Sequence, residues 1–254
     1  MARRSKKTKQ KRRFTFYIFP ILSLAVAAYC TMYIVQWFNE NGQNKEVLET
    51  IVGDTIEVND ETGETAIDFA KLKEKNSDTV GWLKVAGTSV DYPVVKSSDN
   101  SFYLTRNFNK TNNIAGWIFA DYRDKVDGED INLVIYGHNM KDGSMFGTVK
   151  KCLNKDWYNN EENLNITFET DTKVYTYKVF SVYQIEVETY YTKTGFENNA
   201  SHLEWLNKLK SRSVKDFGVA LDTNSKVITL STCASNSNYR VALHGVLTNV
   251  TSKI

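Results

Sequence analysis

Lys226-Val227-Ile228-Thr229-Leu230-Ser231-Thr232-Cys233 alternates, with Val227, Thr229, Ser231 and Cys233 on one face and Ile228, Leu230 and Thr232 on the other. A period of two marks a β-strand, and its β-branched residues stiffen it, so the run should hold a thiol rigidly at its end. After a short polar loop, 234–239, the chain enters Arg240-Val241-Ala242-Leu243-His244-Gly245, a second alternating run that can return beside the first as a hairpin. That hairpin would bring the Arg240 cation near the Cys233 sulfur. A neighbouring cation favours thiolate, the nucleophilic form, and can stabilise an oxyanion. The plainer fate of Cys233 is that of a small buried hydrophobe.

Further β-like runs recur upstream, at 82–85, 90–95, 116–120, 131–136, 164–168 and 174–187. About eight strands with only short helices between them predict a mainly β chain, a closed or nearly closed barrel rather than a βαβ sheet. Ile67, Phe69, Ala70 and Leu72 give a short amphipathic helix over 64–76, ahead of the barrel. Between the strands ending near 187 and starting near 217, Leu203, Trp205, Leu206 and Leu209 recur at helical spacing, which inserts a helix before the cysteine strand. A long connection with its own structure is either a binding wall or packing. Residues 145–153 read as a short helix with an apolar side, where Cys152 would be a buried, inert thiol. The alternative for Cys152 is a disulfide with Cys233.

The N-terminus holds Arg3, Arg4, Lys6, Lys7, Lys9, Lys11, Arg12 and Arg13, after which no charged residue appears before Glu40. Residues 14–38 are long enough to cross a bilayer, whose hydrocarbon core needs about 20 helical residues. They continue well past the small-residue pattern Ala25-Val26-Ala27, beyond the length of a cleavable signal, so they read as a retained anchor. Cys30 follows the bulky Tyr29 and reads as a membrane-helix residue rather than a lipidation site. The basic tail, 1–13, places the N-terminus in the cytoplasm and everything beyond the anchor outside. A polar stalk is expected over 39–63 and a compact extracellular domain over 64–254. Eight of the 32 Lys and Arg precede the span, leaving 24 against 30 acids, so the outer part carries close to −6 despite the overall +2. Nucleic acid is thereby excluded as a partner.

Of three histidines, His138 stands out, because Gly137-His138-Asn139-Met140 follows the apolar run 131–136 and so lies at a strand end. His244 shares strand parity with Arg240 but sits four residues along; His202 opens the inserted helix and should be solvated. Zinc held by Cys233, His138 and His244 is disfavoured, since no pair has the tight spacing of a metal motif and Arg240 would oppose a cation. Neither metal nor cofactor is expected.

Thr229-Leu230-Ser231-Thr232-Cys233 with a downstream arginine, Tyr136-Gly137-His138-Asn139-Met140 after an apolar strand, and an N-terminal anchor together resemble a sortase. The inserted helix and the helices ahead of the barrel resemble class B in particular, over about residues 65–250. The resemblance implies a closed eight-stranded barrel and a cysteine transpeptidase that anchors secreted proteins in a Gram-positive cell wall. Cys233 would attack the Thr–Gly bond of an NPxT-like or SPxT-like sorting signal to give a thioester. His138 would protonate the leaving amine and deprotonate the incoming peptidoglycan amine, while Arg240 and the Ala234 N–H would hold the carbonyl. Asn100-Ser101-Phe102-Tyr103-Leu104 resembles the class B segment that lines the substrate groove, which makes Asn100 and Leu104 candidates for binding, with Tyr136, Tyr191 and Ser231. The competing function is a membrane-anchored extracellular binding or scaffold protein without catalysis; a second is a hydrolase of the same fold.

Overall fold

A computed structural model describes residues 4–58, 65–233 and 238–253. The chain divides into two compact units, Met1–Gln43 and Asn44–Ile254. Helix α1 (Arg4–Thr55) opens the chain. From Phe16 onward it is long and apolar enough to cross a membrane, and Phe16, Phe19, Leu22 and Leu24 lie exposed along it.

The second unit begins with the last turns of α1. Asn44 donates through Nδ2 to Asn113 Oδ1 at 3.1 Å and to Gly116 O at 3.2 Å, and Ile51 and Thr55 are buried. The polar stalk expected over 39–63 therefore differs from what is seen, because the stripe Val47, Leu48, Ile51 packs on the core. Strand β1 (Ile56–Val58) pairs antiparallel with β2 (Thr65–Ile67), and α2 (Phe69–Lys75) follows. The helix expected over 64–76 is thus shorter at its start: Thr65–Ile67 finds a strand partner, and Asp68 then caps α2 by accepting the Lys71 N–H at 3.0 Å.

The remaining strands are β3 (Thr79–Val85), β4 (Asp91–Val95), β5 (Phe119–Ala120) and β6 (Asn132–Gly137), then, after the short helix α3 (Lys155–Tyr158), β7 (Asn165–Glu169) and β8 (Lys173–Glu186). Helix α4 (Asn199–Ser211) precedes β9 (Val227–Cys233) and β10 (Tyr239–Ser252). They close a barrel in the order β10-β8-β7-β3-β4-β5-β6-β9, with β4–β5 and β6–β9 parallel and the other pairs antiparallel. Among the described residues, closure leaves no strand of the barrel at an open edge. The interior is filled by Leu83, Val94, Trp117, Ile135, Phe168 and Leu230, among others.

Helix α4 starts on a capping box between Asn198 and Ser201. It lays Trp205, Leu206 and Leu209 against Phe180, Tyr183, Ala242 and Val246, forming a second apolar cluster on the β8–β10 side of the barrel. Residues 145–153 form only a 3-10 turn, Val149–Leu153, with Cys152 fully buried.

Candidate active site

Strands β6, β9 and β10 are consecutive neighbours. Across β6 and β9, Tyr136 faces Ser231 and Gly137 faces Thr232, so His138 leaves its strand at the level of the Cys233 backbone. Across β9 and β10, Cys233 is the Cα partner of Arg240. With strands about 4.8 Å apart, the backbones of His138, Cys233 and Arg240 span about 10 Å of one barrel rim. The hairpin expected from alternation is present. Ala234 lies outside the described residues.

An open cleft of about 310 Å³ lies at this rim. Asn100, Leu104, Tyr136, Tyr191 and Ser231 all line it, together with His138 and Arg240. Leu104 belongs to the 3-10 turn Phe102–Leu104, Tyr136 to β6, Ser231 to β9, and Tyr191 to the 3-10 turn Tyr190–Thr192 after β8. His138 Nε2 lies 2.8 Å from Leu104 O. A carbonyl only accepts, so Nε2 carries a proton, and in the neutral ring Nδ1 is the basic nitrogen. The turn that supplies this carbonyl is closely packed: Gly116, at φ +54°, sits where a Cβ would strike the Tyr103 and Leu104 carbonyl oxygens. Half-buried Arg240 donates from Nη1 to Tyr239 O at 2.9 Å. Tyr191 OH and Ser231 Oγ lie 3.1 Å apart. Phe119, Glu188, Thr189, Thr192 and Thr232 also line the cleft and were not singled out by sequence; the last adjoins Cys233, but nothing local marks the others.

A family model described as the Sortase domain matches residues 83–248. The chain belongs to the sortase family. It is a cysteine transpeptidase of the class B type, and its closed eight-stranded barrel is the fold of solved sortase B structures. Sortase B of Listeria monocytogenes is 36% identical over 217 residues, covering 82% of this chain and 86% of that protein. A Staphylococcus aureus sortase B–substrate complex is 31% identical with a TM-score of 0.67, covering 72% of this chain and 85% of that one. A sortase B complexed with triglycine gives the same identity and TM-score, covering 72% of this chain and 86% of that one.

The other histidines of this sortase lie away from the cleft. His244 is fully buried and bonded on both ring nitrogens: Nδ1 lies 2.9 Å from Thr229 Oγ1 and Nε2 lies 3.1 Å from Tyr183 OH. Burial pushes its pKa down to about 3, so it is a neutral structural ring. Zinc held by His244 is incompatible with those bonds. His202 corrects the expectation of a solvated residue: it is buried, with Nδ1 3.2 Å from Thr223 O and its ring packed against those of Phe196 and Trp205. The inserted segment folds back over α4 and covers it. Cys152 is a free, buried cysteine, which removes the disulfide alternative, and burial pushes its thiol pKa up.

Proposed function

We propose that this sortase cleaves a C-terminal sorting signal of the NPxT or SPxT kind after its threonine and transfers the acyl group to a peptidoglycan amine. The observation that carries this is the convergence of the ends of β6, β9 and β10, which sets the His138, Cys233 and Arg240 backbones side by side at an open cleft. The Cys233 thiolate attacks the threonine carbonyl carbon, forming the C–S bond while Arg240 stabilises the developing oxyanion. Imidazolium at His138 gives its proton to the leaving amine as the C–N bond breaks. The neutral ring then accepts a proton from the incoming amine as that amine displaces the thiolate. Asn100, Leu104, Tyr136, Tyr191 and Ser231 contact the signal, and the Ala234 N–H completes the oxyanion site. The complexes of related sortase B with substrate and with triglycine support a peptide donor and an amine acceptor.

The N-terminal arrangement supports a membrane location at the cell surface. Residues 1–13 form the cytoplasmic tail, 14–38 the single span, and the barrel lies outside, reached through the segment leading to Asn44. The test uses the full chain in detergent with fluorogenic sorting peptides, with and without an amine acceptor. Cleavage that yields the amine adduct and falls to background in Cys233→Ala is the expected result. Cleavage without adduct would make the protein a hydrolase, and no cleavage of any peptide would sink the enzymatic proposal in favour of a scaffold.

A further inference from the structure

Behind the cleft wall lies a carboxylate that collects five donors. Asp121 follows β5, and its side chain is fully buried. Its Oδ1 accepts Arg123 Nε at 2.8 Å and the Arg123 backbone N–H at 3.0 Å. Its Oδ2 accepts Arg123 Nη2 at 2.7 Å, Asn100 Nδ2 at 2.9 Å and Tyr136 OH at 2.9 Å. Arg123 Nη2 also donates to Thr192 O at 3.0 Å, reaching the turn of the inserted segment. Three pieces of the cleft wall, distant in sequence, therefore meet at one ion pair whose carboxylate is buried and whose guanidinium reaches solvent. Burial alone would raise the Asp121 pKa, but the Arg123 hydrogen bonds outweigh it and hold the carboxyl below its ordinary value, so it stays ionised.

An ionised carboxylate can only accept, and this fixes the hydrogen-bonding sense of its neighbours. The single O–H of Tyr136 is committed to Asp121, so toward the Thr192 side chain beside it and toward the cleft that oxygen acts only as an acceptor. Asn100 Oδ1 takes the Tyr122 N–H at 2.9 Å and one Nδ2 proton goes to Asp121, so Asn100 offers the cleft its second N–H. An acceptor beside a donor matches the N–H and C=O of an amide.

We infer that Asp121 is a positioning and specificity-determining residue: it holds Asn100, Tyr136 and, through Arg123, the Thr192 turn in one wall whose donor and acceptor pattern reads an amide of the bound peptide. The inference rests on the transpeptidase function proposed above. Substituting Asp121→Asn replaces an acceptor by a donor, frees the Tyr136 hydroxyl to turn outward, and loosens the Arg123 fork.

The test measures kcat and KM on a sorting peptide that wild type cleaves, alongside peptide affinity in a Cys233→Ala background and thermal midpoints. Two to three hydrogen bonds to a charge are altered, so Asp121→Asn should raise KM and the peptide Kd by about tenfold or more while kcat stays within about threefold. Tyr136→Phe should cost much less in the Asp121→Asn background than in wild type, because the pair acts as a unit. Equal KM in the two proteins, or a loss confined to kcat, overturns the inference while leaving the transpeptidase function standing. If Asp121→Asn does not fold, Arg123→Gln decides: a raised KM at unchanged kcat supports the role, and an unchanged KM rejects it. Failure of wild type to cleave any peptide would instead remove the underlying function, and the inference with it.

Discussion

His244 shows how one residue's surroundings override its chemistry. A chain of hydrogen bonds fixes its protons: Tyr190 donates to Tyr183 OH at 2.7 Å, and Thr229 donates to Asn132 Oδ1 at 2.7 Å. With its one proton spent on Asn132, Thr229 must accept from His244, so Nδ1 carries the hydrogen and Nε2 accepts from Tyr183. Protonating Nε2 would place a second donor against Tyr183, whose own O–H must then find another acceptor. The folded pKa is depressed to about 3 from the usual 6.5, so the stability it confers is present above pH 6.5 and is lost as pH falls toward 3. We expect the His244 ring resonances to keep neutral, Nδ1–H shifts from pH 8 to pH 5 by nuclear magnetic resonance, where an ordinary histidine would titrate. A titration near 6.5 would contradict the bonded tautomer. Parity along β10 did place His244 on the face of Arg240, but Arg240 pairs with Cys233 at the rim whereas His244 pairs with Thr229 four residues deeper, beneath the inserted segment.

The segment between β8 and β9 is the element that converts a barrel face into a cleft wall. Trp205 Nε1 donates to Tyr190 O at 2.8 Å, and Asn132 Nδ2 donates to Tyr191 O at 3.2 Å and Lys193 O at 2.9 Å. The turn that carries Tyr191 is therefore held from α4 on one side and from β6 on the other. Truncating a buried tryptophan costs about 3–5 kcal/mol, so Trp205→Ala should lower the urea midpoint and weaken sorting-peptide binding together. If peptide affinity survived the stability loss, the helix would be packing alone. The helix itself was legible, since Trp205, Leu206 and Leu209 follow a 3.6-residue period. So were the eight barrel strands, β7 and the start of β8 through alternation and β4 and β6 as short apolar runs buried along most of their length. Strands β1 and β2 were not, as three residues are too few to show a period, and Thr65–Ile67 blended into the apolar stripe of α2. Cys233, His138 and Arg240 could be picked out at strand ends. Asp121 could not, because its importance comes from Asn100, Tyr136 and Arg123 converging on it, and 21, 15 and 2 residues separate them from it in the chain.

At the scale of the whole molecule, composition and packing divide the chain at different places. Charge and hydropathy end the span near residue 38 and assign a polar stretch up to 63, whereas the compact unit begins at Asn44. The difference follows from what α1 buries: Ile51 is 2% exposed, Val47 and Leu48 lean on the core, and Asn44 bridges Asn113 and Gly116, the two ends of a turn ahead of β5. A truncation starting at Asn44 keeps all of these contacts and the β1–β2 pair. One starting at Glu64 removes them and leaves β2 without its partner. Losing one buried isoleucine and two half-buried apolar side chains should cost on the order of 3–5 kcal/mol. In a domain of this size that lowers the thermal midpoint by about 6–20 °C. Comparing the melting of the 44–254 and 64–254 chains checks this directly. Equal midpoints would mean that the last turns of α1 contribute nothing to the barrel. A lower midpoint for 64–254, with peptide cleavage still measurable below its transition, would show that the end of α1 braces the catalytic unit as well as leading to it from the membrane.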